Sequence, residues 1–205
     1  MSIALSCHTI EYCYIGTDSR CIRTDITTGK QHIDDHYRKI HYFPDRKALI
    51  GITGKTTFYT ENGLKEIDEI IREALYVSRL PVCETLKNIT TTLHLNPIER
   101  TNLHVYYAED GIMRAAYFEL SHQEFYEVYK VMNNTVRMSG IQYTIPDKDI
   151  IQIIQDPFQN IPKTIKKCID ERKEDPMAYV GGDVQFCCMN AMGKLIPTTD
   201  ICIEH

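Results

Sequence analysis

The hydrophobic pattern of the chain changes period in blocks. Residues 2–7 and 12–18 are β-rich runs, and they predict a tight hairpin turning near Thr9 and Ile10. Folded about that centre, the pair sets Ser2 opposite Thr17 or Asp18. Residues 20–36 are polar, carry Gly29 and keep no apolar period, which predicts a loop. Residues 39–43 and 48–53 then read as a second hairpin around Pro44-Asp45-Arg46. From Thr56 the period becomes helical. Leu64, Ile67, Ile70, Ile71, Ala74 and Leu75 share one face, Lys65, Glu66, Glu69, Arg72 and Glu73 the other, and Pro81 ends the helix. A second helix is expected over 83–94, with Leu86, Ile89, Thr90 and Leu93 on one stripe and Asn96-Pro97 closing it.

The second half repeats the scheme. Residues 102–108, 112–120, 125–132 and 135–139 are strand candidates joined by Glu109-Asp110-Gly111, Ser121-His122-Gln123 and Asn133-Asn134, and they read as a meander. Helices follow at 147–155 and 162–172, then strands at 183–190 and 194–197 across Ala191-Met192-Gly193. Strands and helices grouped in such blocks predict an α+β domain spanning residues 1–205. Two mostly antiparallel sheets pack on each other, and helix pairs cover the outer faces.

Composition narrows the functional classes. The chain has 205 residues, 43% hydrophobic and 25% charged, which suits one globular domain. A net charge of −5 without a long basic cluster argues against nucleic acid or an anionic membrane as main partner. No run approaches the ~18 uninterrupted apolar residues of a membrane helix, and the start lacks signal-peptide character, so a cytoplasmic location is expected. The eight cysteines show no C-x-x-C spacing and fall mostly in apolar strand patterns, so they read as reduced core residues.

The informative chemistry lies at the start of the chain. A small residue after Met1 permits removal of the methionine, leaving Ser2 with both a hydroxyl and a free α-amine. An α-amine titrates near 7.7–8.0, so it can take the hydroxyl proton as the base beside a nucleophile. Asp18 lies across the predicted hairpin. Lys39, at the start of the strand Arg38-Lys39-Ile40, supplies a cation that depresses the pKa of a neighbouring amine.

These residues resemble the proteasome-like branch of the N-terminal nucleophile hydrolases, which includes the proteasome β-subunit, the bacterial two-component HslV peptidase and the Anbu proteins. Ser2-Ile3-Ala4-Leu5 is similar to the mature N-terminus, and Ile15-Gly16-Thr17-Asp18-Ser19-Arg20 to the strand end that supplies the catalytic acid. Tyr37-Arg38-Lys39-Ile40-His41 resembles the lysine strand, and Gly51-Ile52-Thr53-Gly54 the stretch whose backbone N–H faces the oxyanion. Met138-Ser139-Gly140 resembles the segment whose serine hydrogen-bonds the free amine, and Ala178-Tyr179-x-Gly181-Gly182 a late pre-strand turn. The sixteen-residue step from Ser2 to Asp18 matches the family, the lysine comes several residues later, and the Asp-Ser-Arg and Arg-Lys-Ile-His style is closest to Anbu. The chain also departs from the pattern. Met177 stands where the family has a second acid, Val180 where it has a serine, Ser2 where threonine is usual, and Lys55 where a small residue is common.

The resemblance implies a four-layer αββα fold and a threonine-protease-like hydrolase acting on a peptide or protein substrate. Ser2 is the nucleophile, Asp18 and Lys39 tune its field, the Gly54 N–H meets the oxyanion and Ser139 orients the amine. Cys21, Tyr37 and Ile52 line the substrate groove. The resemblance further implies a homo-oligomeric ring or spiral, with an ATPase partner in some relatives, and no cofactor. A small-molecule amidase on the same fold and a non-catalytic assembly subunit are the alternatives. His32, Asp34, Asp35, His36 and His41 cluster along the chain but lack a helical period, so solvated polar residues are a better reading than a zinc site.

Overall fold

A computed structural model describes residues 2–25, 27–60, 63–93, 100–120, 124–128, 135–140, 145–175, 178–198 and 203–204. The expectations placed on Met177, Cys202, Asn96-Pro97 and the turns at 121–123 and 133–134 lie outside them. In chain order, β1 (Ile3–His8), β2 (Tyr12–Asp18), β3 (Cys21–Thr24), β4 (Gln31–Asp34), β5 (Ile40–Phe43), β6 (Ala48–Gly54), β7 (Thr57–Thr60) and β8 (Gly63–Glu66) lead to the helices α1 (Ile67–Val77) and α2 (Val82–Thr92). Then come β9 (Thr101–Glu109), β10 (Ile112–Glu119), β11 (Glu124–Val128) and β12 (Thr135–Gly140), followed by α3 (Asp147–Gln155) and α4 (Pro157–Asp170). The strands β13 (Val184–Asn190), β14 (Leu195–Ile196) and β15 (Ile203–Glu204) complete the order.

One sheet runs β12-β1-β2-β13-β14 and the other β11-β10-β9-β6-β5-β15. Strand alternation divides their side chains among three apolar clusters. Ile3, Leu5 and Cys7 of β1 with Tyr14, Phe186 and Cys188 pack against Ile153, Ile161 and Ile165 of α3 and α4. Ile50 and Ile52 of β6 with Leu103 and Val105 of β9 pack against Ile67, Ile71, Leu75 and Leu86 of α1 and α2. The opposite faces meet in a third cluster that contains Cys13, Ile15, Ile40, Leu49, Tyr106, Met113 and Met189. Each sheet therefore has a helix-covered face and a face turned to the other sheet.

Several expected elements are different. The 20–36 loop contains the β3–β4 hairpin, in which Cys21 pairs with Asp34. The helix expected from Thr56 begins at Ile67. The β-branched and aromatic residues Thr57, Phe58 and Thr60 form the β7–β8 hairpin, whose turn reaches Gly63 at φ +101°, and Leu64 lies exposed instead of on the helix stripe. The Glu69 side chain accepts the Glu66 N–H at the true helix start. The last helix begins at Pro157, not Pro162. Pro157 takes the first helical position after Asp156, whose side chain accepts the Gln159 N–H, and Pro162 lies inside the helix. The meander stops after β11, because β12 pairs with β1 in the other sheet. The first hairpin is also shifted: Ala4 faces Thr17, so the register carries Ile3, not Ser2, across from Asp18. Cys187 is disulfide-bonded, contrary to the reading of every thiol as reduced, whereas Cys7, Cys13, Cys21, Cys83, Cys168 and Cys188 are buried thiols.

Beside the apolar cluster between the sheets runs a polar seam. Ser6 Oγ lies 2.7 Å from His104 Nδ1, and His8 Nδ1 lies 3.4 Å from the Tyr106 hydroxyl, which meets that of Tyr117 at 2.9 Å. Burial drives His104 down to about 3 and His8 down to about 4, with Arg137 acting in the same direction on both. Unfolding exposes imidazoles that bind protons near pH 6.5, so between that pH and the lowered folded values the unfolded state holds more protons and stability falls as pH falls. Each histidine is expected to cost about 2 kcal/mol of unfolding free energy between pH 7 and pH 5. Urea midpoints at the two pH values check this, and a His8→Asn variant should flatten part of the slope.

Candidate active site

Asp18 is the centre of the site. Its carboxylate is fully buried and takes three donors: Lys39 Nζ at 2.9 Å and the Ile3 N–H at 3.0 Å on Oδ1, and the Gly181 N–H at 3.2 Å on Oδ2. Lys39 is 1% exposed, and burial drives its pKa down while Asp18 opposes the shift. Lys39 and the peptide N–H following Ser2 thus contact one oxygen. The backbone before β5 is held by Gln185, whose Oε1 accepts the Lys39 N–H at 2.8 Å and whose Nε2 donates to the Tyr37 carbonyl at 2.7 Å. The Lys39 carbonyl in turn accepts the Ile52 N–H at 2.8 Å.

Ser2 directly precedes β1, at 3% exposure, and its Oγ accepts the Gly54 N–H at 3.2 Å. Gly54 ends β6 at φ +94°, and a Cβ there would lie 1.9 Å from the Arg100 carbonyl oxygen. Both the conformation and the contact require glycine. Gly140, at φ +107°, faces the other side of Ser2, where a Cβ would lie 1.7 Å from the Ser2 carbonyl oxygen. Ser139 pairs with Ala4, and its hydroxyl lies 3.0 Å from Thr53 Oγ1 and 2.6 Å from His104 Nε2.

Gly54 bonds Ser2 and Lys39 bonds Asp18, the Ile3 N–H that follows Ser2 joins the two pairs, and Ser139 connects to them through Thr53, the residue before Gly54. The expected groove residues are more dispersed. Cys21 Sγ approaches Thr56 Oγ1 at 3.7 Å. The Tyr37 hydroxyl donates to Glu66 at 2.9 Å, Arg23 stacks over the Tyr37 ring, and burial with the Glu66 charge raises the phenol's pKa. Ile52 is 1% exposed and belongs to the cluster under α1 and α2. An open cleft lined in part by Arg20, Asp35, Lys166, Lys173 and Gly181 contains none of the predicted site residues. Among the described residues no cluster of three or more His, Cys, Asp or Glu could hold a metal, and no helix is long and apolar enough to cross a membrane. Gln185, Thr53 and His104 were not singled out as site residues. Their partners are 35 to 148 positions away along the chain, so strand alternation marks their faces but not their neighbours.

No family model and no curated protein matches the chain. Among solved structures, Anbu (ancestral beta-subunit) from Yersinia bercovieri is similar over 92% of this chain and 80% of its own, with a TM-score of 0.59 and 12% identity. The two share a proteasome-like fold. At this identity the likeness concerns the fold alone.

The ion pair predicts a directional effect. Lys39→Met should destabilise the protein by about 3–5 kcal/mol, because it strands a buried carboxylate. The double change Lys39→Met, Asp18→Leu should recover a large part of that loss. Urea unfolding of both variants checks this.

Proposed function

We propose that the protein is an amide hydrolase of the N-terminal nucleophile type on a four-layer αββα framework, with peptides or proteins as substrates. The observation that carries this reading is the Gly54 N–H aimed at Ser2 Oγ beside the Asp18–Lys39 pair. Loss of Met1 gives Ser2 an α-amine. That amine takes the hydroxyl proton as Oγ attacks the amide carbonyl, and the Gly54 N–H meets the oxyanion, a donor worth roughly 3 to 4 kcal/mol in hydrolases. Collapse breaks the C–N bond, the proton passes to the leaving amine, and water then hydrolyses the ester on Ser2. Lys39, fixed by Asp18, lowers the amine's pKa towards neutrality and keeps more of it in the basic form. Cys21 and Tyr37, with Ile52 behind them, belong to the groove side in this reading. The Anbu-like fold supports assembly into a homo-oligomeric ring or spiral.

Intact-mass spectrometry after incubation with a peptide epoxyketone tests the reading, since that probe reacts with a hydroxyl and a free α-amine on one residue. Loss of Met1 with one adduct is expected, and Ser2→Ala should take none. Retained Met1 without adduct would overturn the reading in favour of a non-catalytic assembly subunit. Lost Met1 without adduct would overturn the peptidase assignment in favour of a small-molecule amidase.

A further inference from the structure

The polar seam contains a buried imidazole that the mechanism leaves unused. His104, on β9 of the six-stranded sheet, is 2% exposed and bridges to two hydroxyls of the other sheet, Ser6 Oγ at Nδ1 and Ser139 Oγ at Nε2. Both distances, 2.7 and 2.6 Å, are those of firm hydrogen bonds. The Tyr117 ring packs edge-on at 5.5 Å, fixing the imidazole plane. A neutral imidazole carries one N–H, so one of its nitrogens donates and the other accepts. The tautomer therefore decides what the Ser139 hydroxyl can offer its remaining neighbours.

That choice matters to a catalytic α-amine. The amine acts as a base only if its lone pair faces the Ser2 hydroxyl, so its own N–H groups need acceptors and nothing else should donate to the lone pair. A serine hydroxyl does either. With its proton committed to His104 Nε2, Ser139 Oγ is left as an acceptor, for Thr53 on one side and for the amine on the other. Ser139 pairs with Ala4, which places it diagonal to Ser2 across the β1–β12 ladder. We propose that His104 is a positioning residue, held as the Nδ1–H tautomer between Ser6 and Ser139, whose Nε2 accepts the Ser139 O–H hydrogen bond and so leaves Ser139 Oγ an acceptor for the Ser2 α-amine.

The surroundings suit this role. Nδ1–H then donates to Ser6, and farther along the seam the Tyr106 and Tyr117 hydroxyls meet each other and reach His8 Nδ1, which can accept from them. Of the titratable groups along the seam, Tyr117 from β10 packs on the imidazole, Arg137 from β12 acts on it and stacks over the Tyr117 ring at 4.9 Å, and Tyr106 from β9 and His8 from β1 follow beyond Tyr117. Lys39 and Asp18 are committed to each other. Arg137 adds to burial in opposing protonation, so the imidazole stays neutral through the working range and keeps an accepting nitrogen.

The inference rests on the Ser2 reading, and its test separates the two. In the Met1-processed protein the pKa of the Ser2 amine is read from the pH dependence of its acetylation by acetic anhydride, followed by peptide mass spectrometry. The tautomer is read by NMR on protein labelled with nitrogen-15 histidine. The expected results are an Nδ1–H signal for His104, an amine pKa lower by roughly half a unit to one unit in His104→Leu, where Ser139 is free to donate to the lone pair, and epoxyketone inactivation slowed at least about tenfold. His104→Gln, whose carbonyl can accept from Ser139, should restore most of both. A fold defect alone would not give a directional pKa change with rescue by Gln. An Nε2–H tautomer in the wild-type protein, or an amine pKa and inactivation rate unchanged in His104→Leu, would overturn the proposal even if Leu destabilises the chain and only the tautomer can be read. Retention of Met1 would overturn the Ser2 reading and this role with it. A processed amine that responds to His104 in a protein taking no adduct would uphold the positioning role and overturn the peptidase reading.

Discussion

A carboxylate with no exposure survives in a folded chain only if donors surround it, and Asp18 finds them in three separate pieces of the molecule. The Ile3 N–H comes from β1, the Gly181 N–H from the approach to β13 and the ammonium from Lys39 before β5, while Asp18 itself ends β2. Three of these belong to one sheet and Lys39 leads into the other. The ion pair therefore ties the two sheets together at the end where β1 begins, and it does so with charges instead of shape. Removing either partner leaves a buried charge without its counter-ion, so the pair resists the small rearrangements an apolar contact tolerates.

Around that fixed point the backbone is threaded with little clearance. Gly54 and Gly140 approach from β6 and β12, each at positive φ, and each passes so close to a carbonyl that no side chain fits. The first brings an N–H to Ser2 Oγ, and the second packs directly on the Ser2 carbonyl. Gln185 holds the Lys39 segment by main-chain bonds on both sides of Arg38. Ser2 is thus positioned by main-chain groups that cannot move independently, which is the condition for pre-organised donors to act on a developing charge.

The sequence made the site's charged members legible for a local reason. Ser2, Asp18 and Lys39 lie at strand starts or ends, where the chain's period breaks, and polar residues there stand out against β-rich runs. The hairpin register was one or two residues off because the turn between His8 and Tyr12 admits more than one closure; the observed turn is fixed by Thr9, which accepts the Tyr12 N–H on its hydroxyl and donates its own N–H to the Tyr12 carbonyl. Block order predicted most of the strands and helices; it missed the β3–β4 hairpin, whose polar residues keep no apolar period, and it failed at Thr57–Thr60 because amphipathic residues follow directly and lend the stretch a false helical period. The departure of β12 to the other sheet was invisible for another reason: strand patterning records which faces are buried and not which neighbour buries them.

The seam between the sheets shows what local pattern leaves out. One stretch of that interface is an ordinary apolar core built on Cys13, Ile15, Ile40 and Leu49, so polar groups were not needed to join the sheets. The part facing β12 nonetheless carries Ser6, His8, Thr53, His104, Tyr106, Tyr117 and Ser139, with their hydroxyls and rings matched to one another. Such a network gains less than the aliphatic packing it displaces unless its members are fully paired. It is concentrated on the face that carries Ser2, and its hydroxyls lead by way of Thr53 to the segment that contacts Ser2 Oγ. A purely structural seam could lie at any position along the sheets. Its placement beside Ser2, which meets a backbone donor at a glycine with positive φ, is what ties this stretch of the core to the candidate site.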